Sequence, residues 1–204
     1  MVERQLRGRG IEDGRVLAAM GEVPREAFLP EALRSRAYAD SALPIGQEQT
    51  ISQPWIVAAI CQALELEGSE LVLEVGTGSG YSAAVLARLA AHVVSIERHP
   101  PLSQAAAEAL RSLGIGNVEI VVGDGSVGVT ERAPFDAIAV HAAAPAPPSA
   151  LIDQLAEGGR LVLPVSAEDA DVLTLLRRQG ERVETVELAP CRFVPLIGEE
   201  GFGG

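Results

Sequence analysis

The residues best placed to do chemistry form one run, Leu73-Glu74-Val75-Gly76-Thr77-Gly78-Ser79-Gly80-Tyr81. A short apolar stretch of strand type, Leu71 to Val75, leads into it, and an Ala-rich helical stretch, Tyr81 to Ala91, leads out. Glycines in such a strand-to-helix turn let the backbone bend tightly and approach a nucleotide-like ligand. They are also compatible with nothing more than a tight connection. The spacing is G-x-G-x-G, which fits the dinucleotide fingerprint poorly and disfavours an NAD-dependent oxidoreductase. Glu97 closes the next apolar stretch, Val93 to Ile96, 17 residues after Gly80. A carboxylate there can accept hydrogen bonds from both hydroxyls of a ribose, the alternative being a solvated strand-end charge. Gly123-Asp124-Gly125 follows a third stretch, Val118 to Val122. Asp-Gly is a turn signal, but this one lies at the edge where open α/β sheets bind ligands, and its carboxylate could accept from an adenine amino group.

The elements that must position these groups alternate. Leu102 to Leu113 and Pro148 to Leu155 read as helices, the latter stopping at Gly158-Gly159, whereas Phe135 to Val140 and Arg160 to Val165 read as strands. Alternation implies right-handed crossovers and a largely parallel sheet covered on both faces. Asp171 to Arg178 and Arg182 to Leu188 flank Gln179-Gly180-Glu181 as an antiparallel hairpin. Residues 1 to about 40 read as helical, with Val16, Leu17 and Met20 on one face and a second short helix near Pro30 to Ala37 after the Val23-Pro24 break. Asp40 to Thr50 is expected to be a loop. Ser52-Gln53-Pro54 looks like a helix start, with Ser52 as N-cap and a stop at Gly68. The tail from Gly198 to Gly204 is expected to fray. The fold class is therefore α/β: a Rossmann-like, doubly wound, mostly parallel sheet with a C-terminal antiparallel hairpin and an N-terminal helical elaboration. One domain is expected over 1–204, with 1–66 as elaboration and substrate loop and 67–204 as sheet core and hairpin.

Composition narrows the chemistry. All 16 basic residues are Arg, which removes a Schiff-base amine and a phosphate-loop lysine together. Against 28 Asp plus Glu they leave a net charge of −12, and that field repels nucleic-acid phosphate. Cys61 and Cys191 lie far apart without a C-x-x-C, and with only His92, His99 and His141 they make no Cys-rich zinc site, so no metal is expected. The polar N-terminus lacks a signal-peptide core, and no apolar stretch approaches the ~20 residues of a membrane span. A cytoplasmic, monomeric protein without membrane or nucleic-acid partners is expected.

A glycine turn with acidic residues at the ends of the second and third strands resembles the layout of Class I S-adenosylmethionine methyltransferases. A second segment narrows this. Leu43-Pro44-Ile45-Gly46-Gln47-Glu48-Gln49-Thr50-Ile51-Ser52-Gln53-Pro54 resembles the protein-L-isoaspartate O-methyltransferase family, Gln49 to Pro54 being the most specific part. The similarity extends to Arg9-Gly10-Ile11, Val23-Pro24-Arg25, Ala37-Tyr38, Ser95 to Arg98, Ala133 to Ile138 and Arg192-Phe193-Val194-Pro195-Leu196. It implies methylation of the α-carboxylate of L-isoaspartyl residues in damaged proteins and peptides, with S-adenosyl-L-homocysteine as by-product. The ester then cyclises to a succinimide whose hydrolysis returns some normal aspartate.

By the family's pattern Ser52 is the active-site serine. Thr50 and Ile51 close over the cofactor, which Gly76, Gly78, Ser79, Glu97, Asp124 and Gly125 hold. Phe193, Val194, Pro195 and Leu196 line the substrate side. Two positions depart from the pattern: His141 stands where Thr is common, and Gln47-Glu48 where Gly or an aromatic residue is usual. His141 reads either as a satisfied strand-end histidine or as a proton-linked group. An α-carboxylate, with a pKa near ~3.5, is already ionised at neutral pH and needs no general base. Ser52 is then an orienting hydrogen-bond donor, and no Ser/His/Asp arrangement is readable around it. Other methyltransferases on this fold, acting on small molecules, other carboxyl groups or RNA, and a non-catalytic cofactor-binding scaffold are the competing readings.

Overall fold

The computed structural model describes residues 1–203. Only one true α-helix forms before residue 40. Helix α1, Gly14–Glu22, is capped by Asp13, whose carboxylate accepts from the Arg15 and Val16 amides, and buries Val16, Leu17 and Met20 as the spacing predicts. The rest of this region is short helical turns at Val2–Leu6, Arg7–Arg9, Arg25–Phe28 and Glu31–Arg36. Gly10 in a left-handed conformation ends the second of these, and the extended backbone at Pro24 and Pro30 separates the later two from α1 and from each other.

The expected loop at 40–50 is instead a hairpin. Strands β1, Leu43–Gly46, and β2, Gln49–Ile51, pair Leu43 with Ile51 and Pro44 with Thr50. Its turn holds Gln47 and Glu48, both at positive φ (52° and 59°), a geometry usually given to Asn-Gly and therefore hidden in this sequence. Helix α2, Pro54–Leu64, starts with Pro54 in its first turn but its N-cap is Gln53, so the expected Ser52 cap is not formed. The helix ends at Glu65, in a left-handed conformation, ahead of the Gly68 stop expected from sequence.

From β3, Leu71–Val75, the chain follows the expected rhythm: α3, Tyr81–Leu89; β4, His92–Glu97; α4, Pro100–Ser112; β5, Val118–Val122; β6, Phe135–Val140. Helix α5 is short, Ser149–Asp153, because β7, Leu155–Val165, begins before the Gly158-Gly159 pair and carries it as an irregularity in its pairing with β6. Strands β8, Asp171–Gln179, and β9, Arg182–Cys191, form the antiparallel hairpin. The sheet runs β5-β4-β3-β6-β7-β8-β9, parallel through β7. Successive side chains enter opposite layers: Val72 and Val93 pack with α1, α2 and α3, whereas Leu73, Val75, Val94 and Ile96 pack with α5. β9 closes the sheet with an exposed outer edge bearing Val183, Val186 and Leu188.

The tail does not fray over 198–203. Asp124 Oδ2 accepts from the Glu199 amide at 2.8 Å, Ser126 Oγ from the Glu200 amide at 3.0 Å, and Ile197 pairs with Phe202. Two polar acceptors on the third crossover, half-buried Asp124 and buried Ser126, tie it down; Gly204 lies outside the described residues.

Candidate active site

Strand order places β3 beside both β4 and β6, so the chain reverses direction across the sheet between β3 and β6. Crevices in open α/β sheets form at such a reversal, beyond the carboxyl ends of the strands. The glycine turn leaves β3 there, and His141 follows β6, its amide donating to Val75 O at 2.9 Å. Gly76, Gly78 and Gly80 all sit at positive φ (91°, 52° and 88°), which is why this turn is written in glycine. Gly125 is needed for another reason: a Cβ there would lie 2.5 Å from Val75 Cγ1.

A cleft of about 350 Å³ opens above this crevice, lined by Gly76, Gly78, Glu97, Gly125, Thr50 and the hairpin tip Gln47-Glu48. Glu97 is 4% exposed, yet its carboxylate lines the cleft. Its Oε2 accepts from the Gly78 amide at 2.8 Å and its Oε1 from the His99 amide at 2.9 Å. Each carboxylate oxygen keeps a second acceptor site, so ribose hydroxyls remain within its capacity. The crevice, its glycine cradle and this carboxylate fit a nucleoside-bearing cofactor.

The remaining expected residues divide. Asp124 does not line the cleft. Its Oδ1 accepts from the Ser126 amide and hydroxyl and its Oδ2 from Glu199, so the carboxylate expected at an adenine amino group instead anchors the C-terminal segment beside Gly125. Burial would raise its pKa, but the Glu199 and Ser126 hydrogen bonds and the Arg98 charge hold it below the usual carboxylate range. Ile51 is buried in the core and Ser79 Oγ accepts from the Tyr81 amide. Neither lines the cleft; both border a narrow gap of about 30 Å³ between hairpin and glycine turn, and Ser79 also faces a hollow beside Phe28 and Leu102. The Phe193 to Leu196 run is held by backbone hydrogen bonds of Val194 and Leu196 to Ala143, and it is split between two clefts. Pro195 and Leu196 line the first cleft, Phe193 lines a second, and Val194 reaches both.

That second cleft, about 400 Å³, is lined by Ser52, Gln53, Ile56, Arg192 and Phe193. Thr50, His141 and Val194 line both clefts and form the passage between them. Ser52, relieved of capping, has a hydroxyl with no hydrogen-bond partner among the described residues. Arg192 is the one permanent cation on this cleft. Sequence reasoning missed it, although an Arg beside the family-like Phe-Val-Pro-Leu run was a usable signal.

It also missed a buried network. Glu74 is fully buried in β3; its Oε2 accepts from Ser95 Oγ at 2.5 Å, and Ser95 Oγ lies 2.5 Å from Thr77 Oγ1. His141 Nε2 lies 2.8 Å from Ser82 Oγ and 3.4 Å from Glu74 Oε1. Burial pushes the Glu74 carboxyl up to about 8, against the Ser95 and Ser82 hydroxyls and with help from the Glu97 charge. Burial also pushes His141 down to about 4. The signal available was one carboxylate inside an otherwise apolar strand.

The family model for protein-L-isoaspartate(D-aspartate) O-methyltransferase matches residues 1–201. A protein-L-isoaspartate O-methyltransferase of Methanoculleus marisnigri is 54% identical over all of this chain and 93% of its own length. A protein-L-isoaspartate O-methyltransferase 1 of Rhodopseudomonas palustris is 55% identical over 99% of this chain and 83% of its own. A solved protein-L-isoaspartate O-methyltransferase structure superposes with a TM-score of 0.88 at 32% identity, over 98% of this chain and 67% of that one. A Plasmodium falciparum structure, described as such an enzyme in complex with S-adenosyl-L-homocysteine, gives 0.83 at 26% identity over 96% of each chain. With the family model spanning the sheet, the hairpin and both clefts, the chain belongs to the protein-L-isoaspartate(D-aspartate) O-methyltransferase family.

Proposed function

We propose that this protein transfers a methyl group from S-adenosylmethionine to the α-carboxylate of L-isoaspartyl residues in damaged proteins and peptides. The observation that carries the reading is the pair of clefts meeting at Thr50, His141 and Val194, one cradled by glycines and Glu97, the other lined by Ser52 and Arg192. Gly76, Gly78 and Gly125 give a cofactor close access to the main chain, and Glu97 receives its ribose hydroxyls. A bound S-adenosylmethionine supplies an electrophilic methyl carbon and its own leaving group. Thr50 on β2 covers the passage, with Ile51 fixing that strand in the core and Ser79 bracing the glycine turn.

On the acceptor side Arg192 draws in an anionic group, an effect a chain of net charge −12 otherwise opposes. Ser52 donates to the carboxylate and sets its approach, and Phe193 packs beside the peptide. Orientation of this kind is worth on the order of 7 to 11 kcal/mol when it is complete. It also explains discrimination: an isoaspartyl linkage lengthens the backbone by one methylene and brings the carboxylate one carbon nearer to it.

The supporting frame is one domain. Leu6, Val16 and Leu43 of the first 66 residues share a core with Val72 and Val93 of the sheet. A monomer working in the cytoplasm, apart from nucleic acid, accords with the acidic charge and the two buried free cysteines, Cys61 and Cys191. No helix among the described residues is long and apolar enough to cross a membrane. The decisive experiment follows a labelled methyl group onto an isoaspartyl peptide and its normal aspartyl twin. The expected result is base-labile ester on the first and almost none on the second. Comparable rates on both, or base-stable methylation, would overturn the reading.

A further inference from the structure

His141 ends β6 at the passage between the clefts, with Nε2 turned inward onto Ser82 and Glu74. Its side chain is 7% exposed, and among the described residues Nδ1 has no hydrogen-bond partner, so Nδ1 is the nitrogen left for the passage. Which nitrogen of a neutral imidazole carries the proton is set by the bond the other one makes. Among the described residues, the groups at Nε2 are a hydroxyl, which can donate or accept, and a buried carboxyl with one oxygen otherwise unpartnered.

We propose that Glu74 and Ser82 are positioning residues that set the tautomer of His141, so that its Nδ1–H donates to the acceptor carboxylate opposite Ser52. A protonated Glu74 donates from Oε1, directly or through the Ser82 hydroxyl, into Nε2; the imidazole proton then sits on Nδ1 and faces the passage. An ionised Glu74 draws the Ser82 proton toward itself, Nε2 carries the hydrogen, and Nδ1 presents a lone pair to an incoming anion. The first arrangement binds a carboxylate and the second repels it. The inference rests on the isoaspartyl reading for the identity of the acceptor, but the tautomer itself does not depend on substrate.

The surroundings favour the first arrangement at neutral pH. Glu74 is fully buried and raised to about 8 by that burial, so it is mostly protonated at pH 7. Facing the pair are the Glu97 carboxylate from β4, which raises Glu74 further, and the Cys61 thiol from α2, which its own burial and the Glu74 charge keep protonated. Tyr81 at the start of α3 is likewise held neutral by burial. Arg192 shares the second cleft with His141, and Arg98 and His99 share the first. None of these touches Nε2.

Two measurements test it. In protein labelled with ¹⁵N-histidine, with His141 identified by its loss in His141→Thr, the long-range ¹H–¹⁵N spectrum at pH 7 should show the proton on Nδ1. Raising the pH through about 8 should move it to Nε2 in wild type but not in Glu74→Gln, whose amide donates at every pH. In the methyl-transfer assay, counting ester and released methanol together, kcat/KM on the isoaspartyl peptide should fall on the alkaline side of about 8 in wild type and stay level in Glu74→Gln. His141→Thr should lower kcat/KM about ten-fold or more at pH 7, the order for a hydrogen bond to a charged group, with S-adenosylhomocysteine affinity preserved. An Nε2–H tautomer at pH 7 would overturn the proposal even if Glu74→Gln does not fold. So would full activity in His141→Thr with the same alkaline limb. No methyl transfer to isoaspartyl peptide by wild type at any pH, with the tautomer as expected, would instead remove the functional reading and leave the relay standing.

Discussion

On the cofactor side of Thr50 and His141, the cleft is shaped by main chain: three glycines at positive φ, a fourth pressed against Val75, and one carboxylate fixed by two amides. On the acceptor side it is shaped by side chains brought from three separate places: Ser52, His141 and the adjacent pair Arg192 and Phe193. The first half is contiguous with strand ends and so is held by the sheet itself. The second depends on a two-stranded hairpin and a segment laid alongside Ala143. Rigid backbone suits a cofactor that never varies, and an assembled wall suits peptides that differ outside the damaged residue.

Substitutions can break this contrast, beginning with the largest effect. Glu97→Ala removes the carboxylate bound to the glycine turn and frees the Gly78 and His99 amides it holds. Calorimetric titration with S-adenosylhomocysteine should show a loss of about 2 to 3 kcal/mol; an unchanged dissociation constant would mean the carboxylate holds only the protein's own backbone. Ser52→Ala should act on the other half alone. Turnover is expected to fall ten-fold or more, about 1.4 kcal/mol, with cofactor affinity unaltered. Because Ser52 caps nothing, its melting temperature should stay within a degree or two, so turnover close to wild type would end its orienting role.

Asp124→Ala sharpens the boundary from below. It should cost about 2 kcal/mol of stability by freeing the Glu199 amide and Ser126, while cofactor affinity changes less than in Glu97→Ala. The sign of its pH dependence is fixed by a folded pKa lower than the unfolded one. Its stabilisation is complete above the unfolded value near ~3.9 and drains away as pH falls through the lower folded value. Denaturant melts of wild type and variant should therefore converge in acid. The smallest effect belongs to Glu48→Gly, which relieves a side chain at φ 59° and should stabilise the hairpin by about 1 kcal/mol, read as a shifted denaturation midpoint.

What could be read from sequence follows the same division. The β3 and β6 boundaries agree with the apolar runs because buried parallel strands are written largely in apolar residues, and the half-buried edge strand β5 agrees through its Val and Ile residues. The glycine turn and Glu97 were legible because their constraints are local. The β1–β2 hairpin was not, since Gln47-Glu48 occupies a turn normally marked by Asn or Gly. The hold of Asp124 on the C-terminal segment was not legible because its partner amide lies 75 residues away. The Glu74–Ser82–His141 contacts likewise span α3, β3 and the end of β6, a proximity that no local pattern announces.

The outer edge of β9 carries one more consequence. Val183, Val186 and Leu188 stand exposed on a strand whose far side has no neighbour among the described residues. Such an edge is a template for pairing with another chain, and charges along it are what discourage that. Here the charges are chiefly Glu184 and Glu187, with Arg182 at the strand's start. At neutral pH two copies approaching edge to edge bring carboxylates together. Replacing both glutamates with glutamine removes that repulsion and leaves the valines, so the edge of β9 is where loss of surface charge should turn this protein toward self-association.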